Sequence, residues 1–103
     1  MNEKYDGKRK NVRFETAQNC LGWMCFNTTL LHEFKPQLPV LVIEESLAGC
    51  GVIAHLDEPI TVGERLIIKI EEHLPMKAQI KMANQVFRNV YHLGLLFDEE
   101  KIF

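Results

Sequence analysis

The sequence predicts an all-β protein, a small six-stranded antiparallel β-barrel, and three observations carry that expectation. Apolar residues recur with a period of two through Leu66, Ile68 and Ile70, through Ala78, Ile80 and Met82, and through Tyr91, Leu93, Leu95 and Phe97. Such alternation turns one side of each segment to a core and the other to solvent. Gly, Pro, Asp and Ser punctuate these runs at short intervals, as turns between strands require. Helical periodicity is weak throughout. The 103 residues, 47% hydrophobic and 25% charged, suit one domain around one core.

Taken in order, residues 1–13 read as a charged arm and 14–103 as the barrel domain. Residues 20–26 form a candidate strand, and one helical turn is expected within 29–34. Two short apolar strands follow, at 40–43 and 52–56, separated by a turn over 45–51 that contains Gly49 and Gly51. Pro59 and Gly63 mark the next turn. In the strand after it, Ile67, Lys69 and Glu71 are expected to face outward opposite the Leu66 row, because β-branched and alternating residues suit a half-buried strand. A turn at 73–75 leads to the Ala78 row, with Lys77, Gln79 and Lys81 outward. His92 and Asp98 face away from the Tyr91 row, and a short helical turn is expected to start at Asp98. Side chains fill a barrel this small, so a ligand is expected on its outside.

Charge divides the chain unevenly. Residues 1–13 hold Lys4, Lys8, Arg9, Lys10 and Arg13 against Glu3 and Asp6, whereas the remainder holds seven bases against twelve acids. A net charge of -2 argues against a surface committed to DNA. The basic arm reads either as a solvated terminus or as a local anion site. No apolar secretory leader and no run long enough for a membrane span is visible, so a cytoplasmic protein without membrane insertion is expected. Cys20, Cys25 and Cys50 form no CxxC pair, and the four histidines are scattered, so neither a zinc site nor a cofactor is expected. Three cysteines suit a reducing compartment.

Two constellations carry chemistry. In the arm, Arg9 and Arg13 stand four apart, flanked by Lys8 and Lys10. Each guanidinium is a rigid fork that fits phosphate oxygens or the O6 and N7 edge of guanine, and two forks hold one phosphorylated purine. In the body, Glu44, Ser46 and Gly49 close a strand and open a turn. A carboxylate accepts from the ring N–H and amino group of guanine, a serine adds a hydroxyl, and a glycine admits close backbone approach. Without a ligand the same segment reads as a β-turn or bulge.

Together these residues resemble the PilZ family, small barrels that bind the bacterial second messenger cyclic di-GMP. Arg9 and Arg13 match the family's RxxxR arm, and Ser46 and Gly49 match its (D/N)xSxxG turn, with Glu44 in place of Asp or Asn. The likeness extends through Gly51-Val52-Ile53-Ala54, Glu58-Pro59, Val62-Gly63-Glu64-Arg65-Leu66 and Leu93-Gly94-Leu95-Leu96-Phe97, and so covers the whole chain. It implies a PilZ-type barrel, no enzymatic activity, and a mobile arm that folds over the dinucleotide. Arg9, Arg13, Lys8 and Lys10 would then hold phosphate and guanine, with Glu44, Ser46 and Gly49 on the barrel side. It also implies a downstream protein partner, with outputs such as motility or biofilm formation, for a monomer or a dimer. Two alternatives belong to other classes: a PilZ-fold interaction module that binds no nucleotide, and a small-barrel nucleic-acid binder using the basic arm. Trp23 and Phe26 are expected as a core pair rather than a stacking platform. Cys50 has no neighbouring base implied by spacing, so it is not expected to act as a nucleophile.

Overall fold

A computed structural model describes residues 13–14 and 20–98 of the chain. Lys8, Arg9, Lys10 and the helical turn expected after Asp98 lie outside the described residues. The strands are β1 (Arg13–Phe14), β2 (Cys20–Cys25), β3 (Leu38–Ser46), β4 (Gly49–His55), β5 (Arg65–Ile70), β6 (Met76–Phe87) and β7 (Val90–Phe97). One 3-10 turn, Leu31–Glu33, sits where a helical turn was expected.

The strands run β1-β3-β2-β5-β6-β7-β4, and an additional β3–β4 pairing joins the two sides. Every pairing is antiparallel. Strands β2 to β7 therefore make the closed six-stranded ring that the alternation predicts, and closure satisfies backbone groups that an open edge would leave unpaired. The two-residue β1 is a seventh piece, laid along β3 beside Glu45 and Ser46. Among the described residues no helix is long and apolar enough to cross a membrane.

The core contains Met24, Val40, Val42, Val52, Leu66, Ile68, Ile70, Ala78, Ile80, Leu93 and Leu95, all buried. Each alternating row of the sequence supplies members to it. Arg65 adds a clamp outside, donating to both carboxylate oxygens of Asp98 at 2.8 Å and so tying the start of β5 to the segment that follows β7.

Several expectations change on contact with the fold. Met82 was expected inside, but the β6–β7 register shifts between Ile80 and Met82, and Ala83 packs on the core instead. One extra residue in a period-two pattern transfers every later side chain to the other face. Ile67 belongs to the outward row, as expected, and lies outside the main core cluster, yet it is completely buried. It lies opposite Cys25, also buried, so the outer side of the β2–β5 pair is covered at that point. Trp23 and Phe26 do not form a core pair. Phe26 packs on the core, while the odd-numbered Trp23 faces the other way, level with Pro39 and Lys69. The turn expected over 45–51 shrinks to Leu47 and Ala48, because β3 continues through Ser46 and β4 begins at Gly49.

Candidate functional site

Ser46 and Gly49 build the β3–β4 turn before they could do anything else. The Ser46 hydroxyl oxygen accepts from the backbone N–H groups of Ala48 (3.2 Å) and Gly49 (3.3 Å) and lies 3.4 Å from the Gly49 carbonyl, to which it donates. A hydroxyl one residue before a tight turn is well placed to take its free donors. At Gly49 a Cβ would stand 2.0 Å from the Leu95 carbonyl oxygen. The close approach this glycine permits is therefore that of β7, which pairs Leu96 with Gly49. The Phe97 N–H then donates to the Ala48 carbonyl at 2.8 Å and fixes the turn to the end of β7.

A register shift between Val42 and Glu44 decides where the two glutamates point. Glu44 is exposed and lies over Gly51, where the missing side chain makes room: a Cβ there would be 3.2 Å from Glu44 Oε2 and 3.3 Å from His92 Nε2. His92 Nε2 is itself buried, with no hydrogen-bond partner among the described residues. Glu45 turns toward the barrel end, its side chain 13% exposed and its Oε2 3.8 Å from His73 Nδ1.

That end also holds two thiols. Burial pushes Cys50 up to about 12, helped by the charge of Glu45, by Cys20 and by Glu44. Cys20 is raised too, by burial first and then by Glu71 and Glu45. Both stay protonated near neutral pH, which makes them poor nucleophiles.

Beside the turn lies an open groove of about 310 Å³. Glu44, Glu45, Ser46 and Gly49 form one wall, while Lys81, Gly94 and Leu96 come from β6 and β7. Gly51 and Gly94 are paired in register, so the neighbouring sheet surface has two adjacent positions without side chains. Neighbouring side chains use that space: Glu44 and His92 come within 3.3 Å of where a Gly51 Cβ would stand, and Met82 lies 3.3 Å from the corresponding point at Gly94. Three of the residues singled out in the sequence, Glu44, Ser46 and Gly49, thus meet on one groove. Arg13 belongs beside them through the backbone, because it pairs with Ser46 as Phe14 pairs with Glu45. Lys8, Arg9 and Lys10 fall outside the described residues.

No protein-family model matches the chain, and no curated protein matches its sequence. The groove is therefore read from its own chemistry. Sequence reasoning missed Lys81, the one cation among the described residues that lines it. Its exposed position on β6 follows from alternation, but its place opposite the Ser46 turn depends on the pairing of β4 with β7 and of β7 with β6. Among the described residues no three His, Cys, Asp or Glu side chains are arranged to hold a metal ion. Among the described residues the groove offers carboxylate acceptors and the Lys81 ammonium, with the strand that carries Arg13 along its border.

Proposed function

We propose that the chain is a non-enzymatic receptor and adaptor for cyclic di-GMP, as its PilZ resemblance implies. The observation that carries this reading is the register of β1 on β3: Arg13 stands opposite Ser46, at the edge of a groove already lined by Glu44, Ser46 and Gly49. Arg13, the described end of the arm motif, and Ser46 are separated by about thirty residues of sequence yet pair through the backbone.

In this mechanism Arg9 and Arg13 grip phosphate and the acceptor edge of guanine, with Lys8, Lys10 and Lys81 adding positive charge. Glu44 accepts from the guanine ring N–H and amino group. Its extra methylene, relative to Asp, is accommodated by the space over Gly51. The purine lies in the groove beside the Ser46 turn, bordered by Gly94 and Leu96. Closing the arm costs about 1 to 2 kcal/mol per ordered backbone residue, and the charge-assisted bonds of the forks must exceed that. The liganded arm then presents a changed surface to a separate protein, with cytoplasmic signalling to motility or biofilm formation as the output.

Calorimetric titration with cyclic di-GMP, with cyclic di-AMP as control, tests the reading. Saturable binding of the guanine dinucleotide with at least tenfold preference is expected. Equal binding of both, or no binding of either, refutes it. The second reading, a nucleotide-independent interaction module of the same fold, is favoured by two carboxylates facing one lysine in the groove and by a Ser46 hydroxyl already engaged in its own turn. Absence of heat with either dinucleotide is its signature.

A further inference from the structure

At the end of the barrel remote from the Ser46 turn, two unlike features stand side by side. The first is the tip of the β6–β7 hairpin. Val86 is 56% and Phe87 65% exposed, a contiguous piece of apolar surface at the end of β6. The Arg88 guanidinium lies over the Phe87 ring, 5.6 Å from its centre, and the backbone of Arg88 sits at φ 25, a left-handed conformation that a non-glycine residue adopts at a cost. No carboxylate among the described residues pairs with Arg88. The second feature is a cleft of about 420 Å³ with a floor of Phe26, Leu38, Leu56 and Ile60 and a rim of Asp57, Glu58 and Glu64. Among the described residues neither Lys nor Arg lines it.

Prong and cleft are neighbours by construction. The Leu56 N–H donates to the Asn89 carbonyl at 2.8 Å, and Val90 pairs with His55, so the returning side of the hairpin tip is fastened to the end of β4 at the border of the cleft, while Val86, Phe87 and Arg88 on the other side stay exposed. Yet none of residues 84–90 lines that cleft, so the prong does not fill the cleft of its own chain. The prong is apolar and cationic; the cleft has an apolar floor under a polar rim in which Glu58 and Glu64 are anionic and Asp57 lies 3.8 Å from His55.

We propose that two copies of this chain associate about a two-fold axis, each placing Phe87 and Arg88 of its hairpin into the acid-rimmed cleft of the other. A second copy is the occupant that the geometry favours. Because both halves of the contact lie on one end of one molecule, a single two-fold rotation satisfies both contacts at once and closes the assembly. Phe87 supplies the buried anchor, and Arg88 meets Glu58 and Glu64, where opposite charges set register and exclude other arrangements. The contact is small, so the dimer is weak and concentration-dependent. It leaves both Ser46 grooves open on the outer ends of the pair.

Sedimentation equilibrium of the full chain, over roughly micromolar to millimolar concentrations, tests this with a charge exchange. Wild type is expected to show a monomer–dimer equilibrium that weakens as salt rises. Arg88→Asp, chosen because Asp tolerates a positive φ, and the double variant Glu58→Lys with Glu64→Lys are each expected to dimerise at least tenfold more weakly. An equimolar mixture of the two variants restores association, since every prong then faces a cleft of opposite charge. Circular dichroism melts of each variant confirm that the barrel is folded, and Phe87→Ser provides a second disruption that leaves the charges alone. A wild type that stays monomeric throughout overturns the proposal. So does a dimer indifferent to all three variants, or a mixture that fails to recover.

Discussion

Replacing Gly49 by Ala isolates the structural part of the turn motif from any ligand. The added Cβ would lie 2.0 Å from the Leu95 carbonyl oxygen and 3.2 Å from Leu96 Cα, against a practical minimum of 3.0 Å for such contacts. Because the obstacle is backbone, no side chain can rotate away. Strands β4 and β7 must separate by about 1 Å at this end, enough to overstretch the Phe97–Ala48 hydrogen bond of 2.8 Å. Overpacking of this sort costs about 1 to 3 kcal/mol, and each lost hydrogen bond about 0.5 to 1.5. The smaller conformational freedom of Ala in the unfolded chain returns about 0.4 to 1 kcal/mol. The net expectation is a loss of about 2 to 3 kcal/mol, or a melting temperature lower by more than about 8 °C for a domain of this size. Urea unfolding followed through Trp23 fluorescence and far-ultraviolet circular dichroism measures it. Gly51→Ala is the matched control. There the Cβ would meet only the mobile ends of Glu44 and His92, at 3.1 to 3.3 Å, so stability should fall by less than about 1 kcal/mol while Glu44 is displaced. A Gly49 variant as stable as the Gly51 variant would refute the close-approach argument and return Gly49 to a purely ligand-facing role.

Other outcomes follow from the same contacts. Ser46→Ala removes the oxygen that accepts two backbone N–H groups in the turn and should cost about 1 to 2 kcal/mol in urea unfolding; a loss below about 0.3 would show that water replaces it freely. Alkali should destabilise the barrel through Cys50. The unfolded thiol ionises near 9.0 and the folded one only near 12, so the folded state holds the extra proton between those values. Stability therefore falls as pH rises through that window, by at most about 1.4 kcal/mol per pH unit, and Cys50→Ala should flatten the fall. Identical pH profiles for the two proteins would contradict the assignment. Arg13→Ala should weaken cyclic di-GMP binding at least tenfold with little change in melting temperature, and wild-type affinity in that variant removes Arg13 from the site. Glu44→Asp should tighten binding if reach is the handicap of the longer carboxylate. Collapse of binding would instead mean that the space over Gly51 makes Glu the fitted residue.

Strand identity was legible wherever one period of two ran unbroken. Leu66, Ile68 and Ile70, and Leu93 with Leu95, lie in the core as their alternation requires. Where the ladder slips, local pattern loses its meaning. The shifts after Val42 and Ile80 determine that Glu44 faces out, that Glu45 turns to the barrel end and that Ala83 replaces Met82 inside, and none of these is written in the neighbouring residues alone. The β6–β7 hairpin was missed for a related reason. Its turn uses Arg88 and Asn89 without a glycine, so the usual signal for a tight two-residue connection is absent. Of the groove, the sequence showed the residues that build the turn. It did not show Lys81 or the pairing of Gly51 with Gly94, because those positions meet only when β4 pairs with β7, about forty residues later in the chain, with β6 on its other side.

The order of strands in the ring sets a schedule for folding. Pairings β3–β4, β5–β6 and β6–β7 join sequence neighbours and close short loops, whereas β2–β5 and β4–β7 bridge about forty residues each. Loop-closure entropy delays these two seams, and a chain dominated by such long-range pairing folds in milliseconds to seconds rather than microseconds. One late seam, β4 on β7, is the one that brings Gly49 against Leu95. The groove is thus completed in the last steps of folding, after the hairpins that supply its walls.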